Sequence, residues 1–143
     1  MEFIKHNIGW DAEPNAPMPE IKLINNNSKL SLSFYLNSFI YPNIDEESTG
    51  VIDFINCYKY RIGPTNDEGF YKGQCRFYKT GIPWGNFYEI KNSTWKKDFP
   101  KDEIILDKTL KNIKNLNHYL FYFRDETFEC ISESFEFNIK ESI

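Results

Sequence analysis

Two histidines, three cysteines and a scatter of carboxylates are the side chains in this 143-residue sequence with types suited to chemistry. The histidines are His6 and His118, and the cysteines are Cys57, Cys75 and Cys130. A Cys–His nucleophile pair, Cys57 with His118 for instance, needs the two to meet in space and needs a group that stabilises the thiolate. Nothing local supplies that, and thiols inside strands are more often packing groups. Asp53, Glu89 and Glu129 are the acids that a two-carboxylate hydrolysis would draw on, provided they met at the separations glycosidases use. Each lies among polar neighbours in an alternating stretch, so an outward, solvated face is the plainer reading. No C-x-x-C occurs, and isolated His and Cys do not make a metal-ligand pattern. Asp45-Glu46-Glu47 lacks calcium-loop spacing. No G-x-S-x-G, P-loop or G-x-G-x-x-G is found. The expectation is a chain with no catalytic residues, no metal and no cofactor.

Charge is more informative than motif. Net charge is −4, which argues against a nucleic-acid partner held by bulk positive charge. Residues 1–50 carry 3 basic and 7 acidic side chains, residues 51–118 carry 12 and 8, and residues 119–143 carry 2 and 6. Acidity is concentrated towards both ends. One candidate contact surface is the acidic run Asp45, Glu46 and Glu47. The other is the 122–136 hairpin, with Tyr122 as aromatic anchor and Glu126, Glu129 and Glu133 as charge partners. Tyr is enriched at binding hot spots, and charge complementarity speeds encounter with a basic protein. The plainer reading is a solvated row of carboxylates protecting a sheet edge. A 51–78 hairpin would set Arg61 opposite Lys72 and Lys59 opposite Gln74, with Tyr58, Tyr60 and Ile62 facing the core. Like charges across a sheet repel, so an acidic neighbour is required. Carboxylates of 126–136 on an adjoining strand are the favoured source, and an external anion is the alternative.

The elements that must position these groups are strands. Leu30, Leu32, Phe34 and Leu36 alternate with Ser31, Ser33 and Tyr35, a period of two. Further strands are expected at 21–24, 51–62, 70–78, 86–91, 104–106, 118–124, 127–132 and 135–139. Asn25–Ser28, 63–69 and Asp125-Glu126 read as turns. Asp107 caps at most one short helix, with Leu106, Leu110 and Ile113 near helical spacing. Pro14, Pro17 and Pro19 make residues 1–20 a largely extended arm or loop. Thirteen Phe, nine Tyr and two alanines favour strands over helices. The fold class is mostly β: an antiparallel sandwich, roll or small barrel, in a single domain over 1–143.

Gly9-Trp10-Asp11-Ala12-Glu13-Pro14-Asn15-Ala16-Pro17 and the closing stretch His118 to Ser132 together resemble small bacterial proteins. Some proteins of that look are immunity proteins of polymorphic toxin systems. The resemblance implies a single-domain cytoplasmic inhibitor that binds and neutralises a cognate toxin domain, and it carries over no binding residues. The absence of a basic segment followed by an apolar one at the N-terminus, and of a membrane-length apolar run, agrees with a cytoplasmic location and no membrane contact. The alternative is a small-ligand or carbohydrate-binding β domain built on Trp10, Trp84 and Trp95. A closed apolar cavity would favour the latter, and a filled core the former.

Overall fold

A computed structural model gives the fold and describes residues 1–24, 29–63, 77–99, 104–106 and 115–141. Ten strands occur among them: β1 (Glu2–Lys5), β2 (Glu20–Ile24), β3 (Lys29–Tyr35), β4 (Thr49–Ile55), β5 (Lys59–Gly63), β6 (Phe87–Lys91), β7 (Ile104–Leu106), β8 (Asn117–Tyr122), β9 (Thr127–Ser132) and β10 (Ser134–Lys140). One four-residue helix, α1 (Trp95–Asp98), and one 3-10 turn (Tyr78–Thr80) complete them. Two antiparallel sheets result, ordered β1-β6-β8-β9-β5-β7 and β10-β4-β3-β2. They pack face to face as an all-β sandwich.

The alternation read in 30–36 gives β3 its buried Leu30, Leu32 and Phe34. With Ile52 and Phe54 of β4 they meet Phe87, Tyr119, Phe121, Phe128 and Cys130 of the larger sheet. Gly50 is required by this packing: a Cβ there would stand 2.9 Å from the Phe34 ring, its cross-strand partner. Trp10, from the N-terminal segment, stacks on Phe137 with ring centres 4.2 Å apart and planes 5° from parallel. It fills the core rather than lining a cavity. Within 1–20, residues Glu2–Lys5 are a paired edge strand rather than loop.

β8 does not alternate in burial: every residue from His118 to Tyr122 is buried. The reason is that the larger sheet is covered twice. Tyr119 and Phe121 face the other sheet. Leu120 and Tyr122 join Tyr88 and Ile90 beneath Phe77, Ile82 and Trp84. A strand buried on both faces reads as a continuous apolar run.

The strand expected over 51–62 is two strands in different sheets. Three residues, 56–58, oppose two on the facing strand, between the pairs Ile55↔Ser134 and Lys59↔Ile131. Asn56 turns into the left-handed region at φ 51°. This is a bulge, and bulges bend strands. Cys57 therefore lies at the bend rather than inside a strand. Tyr60 and Ile62 pack on the core as expected, while Tyr58 turns to the ring of Trp95. The turns at 25–28 and 64–69, the strand 70–76 with Cys75 and the helical turn at 107–113 lie outside the described residues. Phe77, the last residue but one of that expected strand, is in a turn with φ 69°. Among the described residues no helix is long and apolar enough to cross a membrane.

Candidate functional site

One end of the sandwich is formed by the 36–48 loop and the 123–126 turn. Phe34 of β3 packs on Phe123, which fixes the two at the same end. The loop is closed at its base by Leu36 N–H donating to Ser48 O (3.0 Å). Asn37 N–H reaches Asp11 O (2.9 Å), Ile44 is buried, and Ser48 N–H donates to Asp45 O. Between these fixed points Phe39 is 77% exposed and Ile40 61%. Asp45, Glu46 and Glu47 are exposed on the same loop. Ile139, also exposed, flanks a shallow recess with Ile44, Asp45 and Glu141. Met18 and Tyr35 flank another recess at this end with Glu20. Arg124, which donates to Asn15 O at 2.9 Å, and Lys140 are cations interspersed there.

Glu126 belongs to this end and is half-buried in its turn. Burial first, and the neighbouring Asp125 second, raise its carboxyl above the ordinary value. The other residues expected on the 122–136 hairpin do not join it. Tyr122 is fully buried under Trp84, ring centres 4.4 Å apart, and cannot be a surface anchor. Glu129 is fully buried on the covered face of the larger sheet. Glu133 is exposed but lies at the opposite end, beyond all of β9, where its carboxylate accepts from Asn56 Nδ2 at 2.7 Å. Six strand residues span about 20 Å, so Glu126 and Glu133 cannot share a compact patch.

A second polar cluster lies at that opposite end. Glu129 faces Arg61 directly across the β5–β9 pair, with Nη1 3.4 Å from Oε1. This is an intramolecular acidic neighbour from 126–136, but the hairpin pairing that called for one is not formed: the strands on either side of β5 are β9 and β7, so Arg61 stands opposite Glu129 and Ile104. The other carboxylate oxygen is 2.8 Å from His118 Nε2, and His118 Nδ1 is 2.6 Å from Ser93 Oγ. Phe77 and Phe99 close over the imidazole. Ser93 and His118 border an open hollow of about 570 Å³, together with Lys91, Trp95, Lys96 and Lys97. Lys59 Nζ stands 5.4 Å from the Trp95 ring and 5.1 Å from that of Phe99, holding α1 down on the sheet.

The expected acid pair does not assemble. Asp53 points from the outer face of the smaller sheet and pairs with Lys29 at 3.5 Å. Glu89 is at the sandwich edge, bonded to His6 (2.9 Å) and Lys91 (2.5 Å). Burial would raise its carboxyl, but the bonds from Lys91 and His6 outweigh that and hold it below the usual range. Cys57 and His118 do not meet either. Cys57 is buried on the inner face next to Cys130, whose thiol is pushed up by burial and by Cys57. His118 faces the other side of the sheet. Among the described residues no group of three His, Cys, Asp or Glu could hold a metal.

Sequence reasoning missed Ser93 and the apolar tip Phe39-Ile40. Ser93 carries no motif. The tip was overshadowed by the acidic run Asp45-Glu46-Glu47, although two adjacent large apolar residues close to Pro42 are the signal. Compared with known proteins, the chain matches no family model, no curated protein and no solved structure.

Proposed function

We propose that the protein is a protein-binding inhibitor of the immunity type, neutralising a cognate bacterial toxin domain through the 36–48 loop. The observation that carries this reading is the exposure of Phe39 and Ile40 on a loop whose base is hydrogen-bonded shut. Exposed adjacent apolar side chains on a tethered loop suit the anchor of an interface, since little ordering remains to be done on binding. Asp45, Glu46 and Glu47 on the same loop, and Glu126 at the same end, add acidic groups to that surface, which suits a basic partner such as a nuclease domain. Inhibition by contact needs no catalytic group at this end.

The test is co-expression with the toxic domain of the adjoining gene. Wild-type protein is expected to restore growth and to co-purify with the toxin. The double variant Phe39→Ser/Ile40→Ser is expected to lose both while melting at the wild-type temperature. Full rescue by that variant removes the loop from the interface. An adjoining product without toxicity removes the immunity reading.

A further inference from the structure

We propose that Ser93 is a nucleophile and that the hollow beside it binds and hydrolyses acyl esters bearing a negative charge. This departs from the expectation of a chain without catalytic residues. It does not rest on the inhibitor reading, because the hollow lies at the end of the sandwich away from the 36–48 loop.

Hydrogen positions follow from the network. Glu129, facing the Arg61 guanidinium, is an acceptor, so His118 Nε2 carries the hydrogen of the 2.8 Å contact. That leaves the lone pair of Nδ1 facing Ser93 Oγ at 2.6 Å. The backbone N–H of Trp95 donates to the same Oγ from 3.1 Å. The hydroxyl hydrogen therefore has Nδ1 as its acceptor. Nucleophile, base and orienting carboxylate stand in the order that acyl transfer requires. The role is recognised by geometry, whichever ring nitrogen faces the serine. Glu129 and Arg61 are positioning residues. They fix the tautomer and the ring without touching substrate.

The hollow gives a substrate somewhere to sit. Its volume of about 570 Å³ falls within the range of small-molecule sites. Lys96 and Lys97 line it, and their charge draws in an anion and opposes the negative charge that builds on the carbonyl oxygen, while Lys91 on the same wall is paired with Glu89. Trp95 offers an apolar wall. In the reaction, Ser93 Oγ adds to the ester carbonyl carbon as its proton passes to His118 Nδ1. The tetrahedral intermediate breaks its C–O bond to the alcohol, which leaves with that proton. Water then adds to the acyl-serine, giving a proton to Nδ1. The acid departs as Ser93 recovers its hydrogen.

The full chain is to be treated with a fluorophosphonate probe, which phosphonylates activated serines with loss of fluoride. It is then assayed on p-nitrophenyl hemisuccinate and p-nitrophenyl butyrate. Peptide mass mapping is expected to place the adduct on Ser93, and Ser93→Ala, folded by circular dichroism, to lower hemisuccinate turnover about 100-fold or more. The anionic ester is expected to be preferred about 10-fold, with the preference lost in Lys96→Glu/Lys97→Glu. Glu129→Gln is expected to lower kcat about 100-fold with KM unchanged. A Glu129→Gln protein that loses only thermal stability removes Glu129 from the mechanism. Unlabelled Ser93 in folded protein, or equal turnover by wild type and Ser93→Ala, overturns the proposal.

Discussion

The two ends of the sandwich treat polar and apolar groups in opposite ways. At the 36–48 end, Phe39 and Ile40 stand in water and the carboxylates of the same loop, Asp45, Glu46 and Glu47, are exposed. At the Ser93 end, a carboxylate and an imidazole are buried and a guanidinium half-buried, with aromatic rings over the imidazole. Each arrangement opposes the usual partition of side chains. Buried charge must be satisfied internally or it destabilises the fold, so the Ser93 end is fixed by its own bonds. Exposed apolar surface has no such requirement, and the proposed partner would cover it. Substitutions at the two ends should therefore separate: one set felt in stability, the other in association.

The largest effects are expected on the covered face of the larger sheet. Glu129→Ala removes the buried carboxylate that faces both Arg61 and His118 and should cost about 3–5 kcal/mol in urea denaturation. Tyr122→Ala, on the same covered face but beside the 123–126 turn, empties the space under Trp84 and should cost a similar ~3–5 kcal/mol. A loss under 1 kcal/mol for both would mean that the covering segment 77–99 does not seal this face. On the 36–48 loop, Phe39→Ala should leave stability within about 0.5 kcal/mol. It should weaken binding of the proposed toxin partner by about 2 kcal/mol or more, read by calorimetry. Smaller again, Asp45→Asn/Glu46→Gln/Glu47→Gln should slow association up to about 10-fold at low salt and change dissociation little. Stopped-flow traces with an unchanged on-rate would remove the electrostatic part of the comparison.

The smallest effect concerns pH at the edge between the two regions. The folded protein holds the Glu89 carboxyl below its unfolded value, through Lys91 and His6. Its contribution is complete above the ordinary carboxylate value and is lost as pH falls through the lowered one. Wild type should therefore lose more stability than Glu89→Gln between about pH 5 and pH 3. Parallel pH profiles for the two proteins would show that these bonds are screened by solvent.

Strands were legible where one face is buried, because a period of two survives in the residues of β3 and in Phe135, Phe137 and Ile139. Tyr122 and Glu129 were misplaced for the complementary reason. A strand covered on both faces shows no polar side, and its one acid then looks like a surface residue. Among the described residues most of what covers it comes from 77–99, a segment whose turns and short helix have weak periodicity. The break at 56–58 was equally hidden, since a one-residue bulge leaves an apolar run intact while sending its halves to different sheets. Ser93 was silent because a serine acquires a role through neighbours 25 and 36 positions away in sequence. No short spacing encodes that.

Glu133 turned out to mark a hinge of the architecture. β9 passes into β10 through this one residue, directly beside the 56–58 bend where β4 passes into β5. The two crossings are clasped by Glu133 N–H to Ile55 O, Tyr58 N–H to Ile131 O and the Asn56–Glu133 side-chain bond. A two-stranded ribbon thus runs unbroken through both sheets, folded over once like a bent staple. Neither sheet can open at that corner without pulling on the other. The slowest-exchanging amides of β4 and β9 should accordingly share a single opening free energy, so that the sandwich behaves as one cooperative unit in native-state hydrogen exchange.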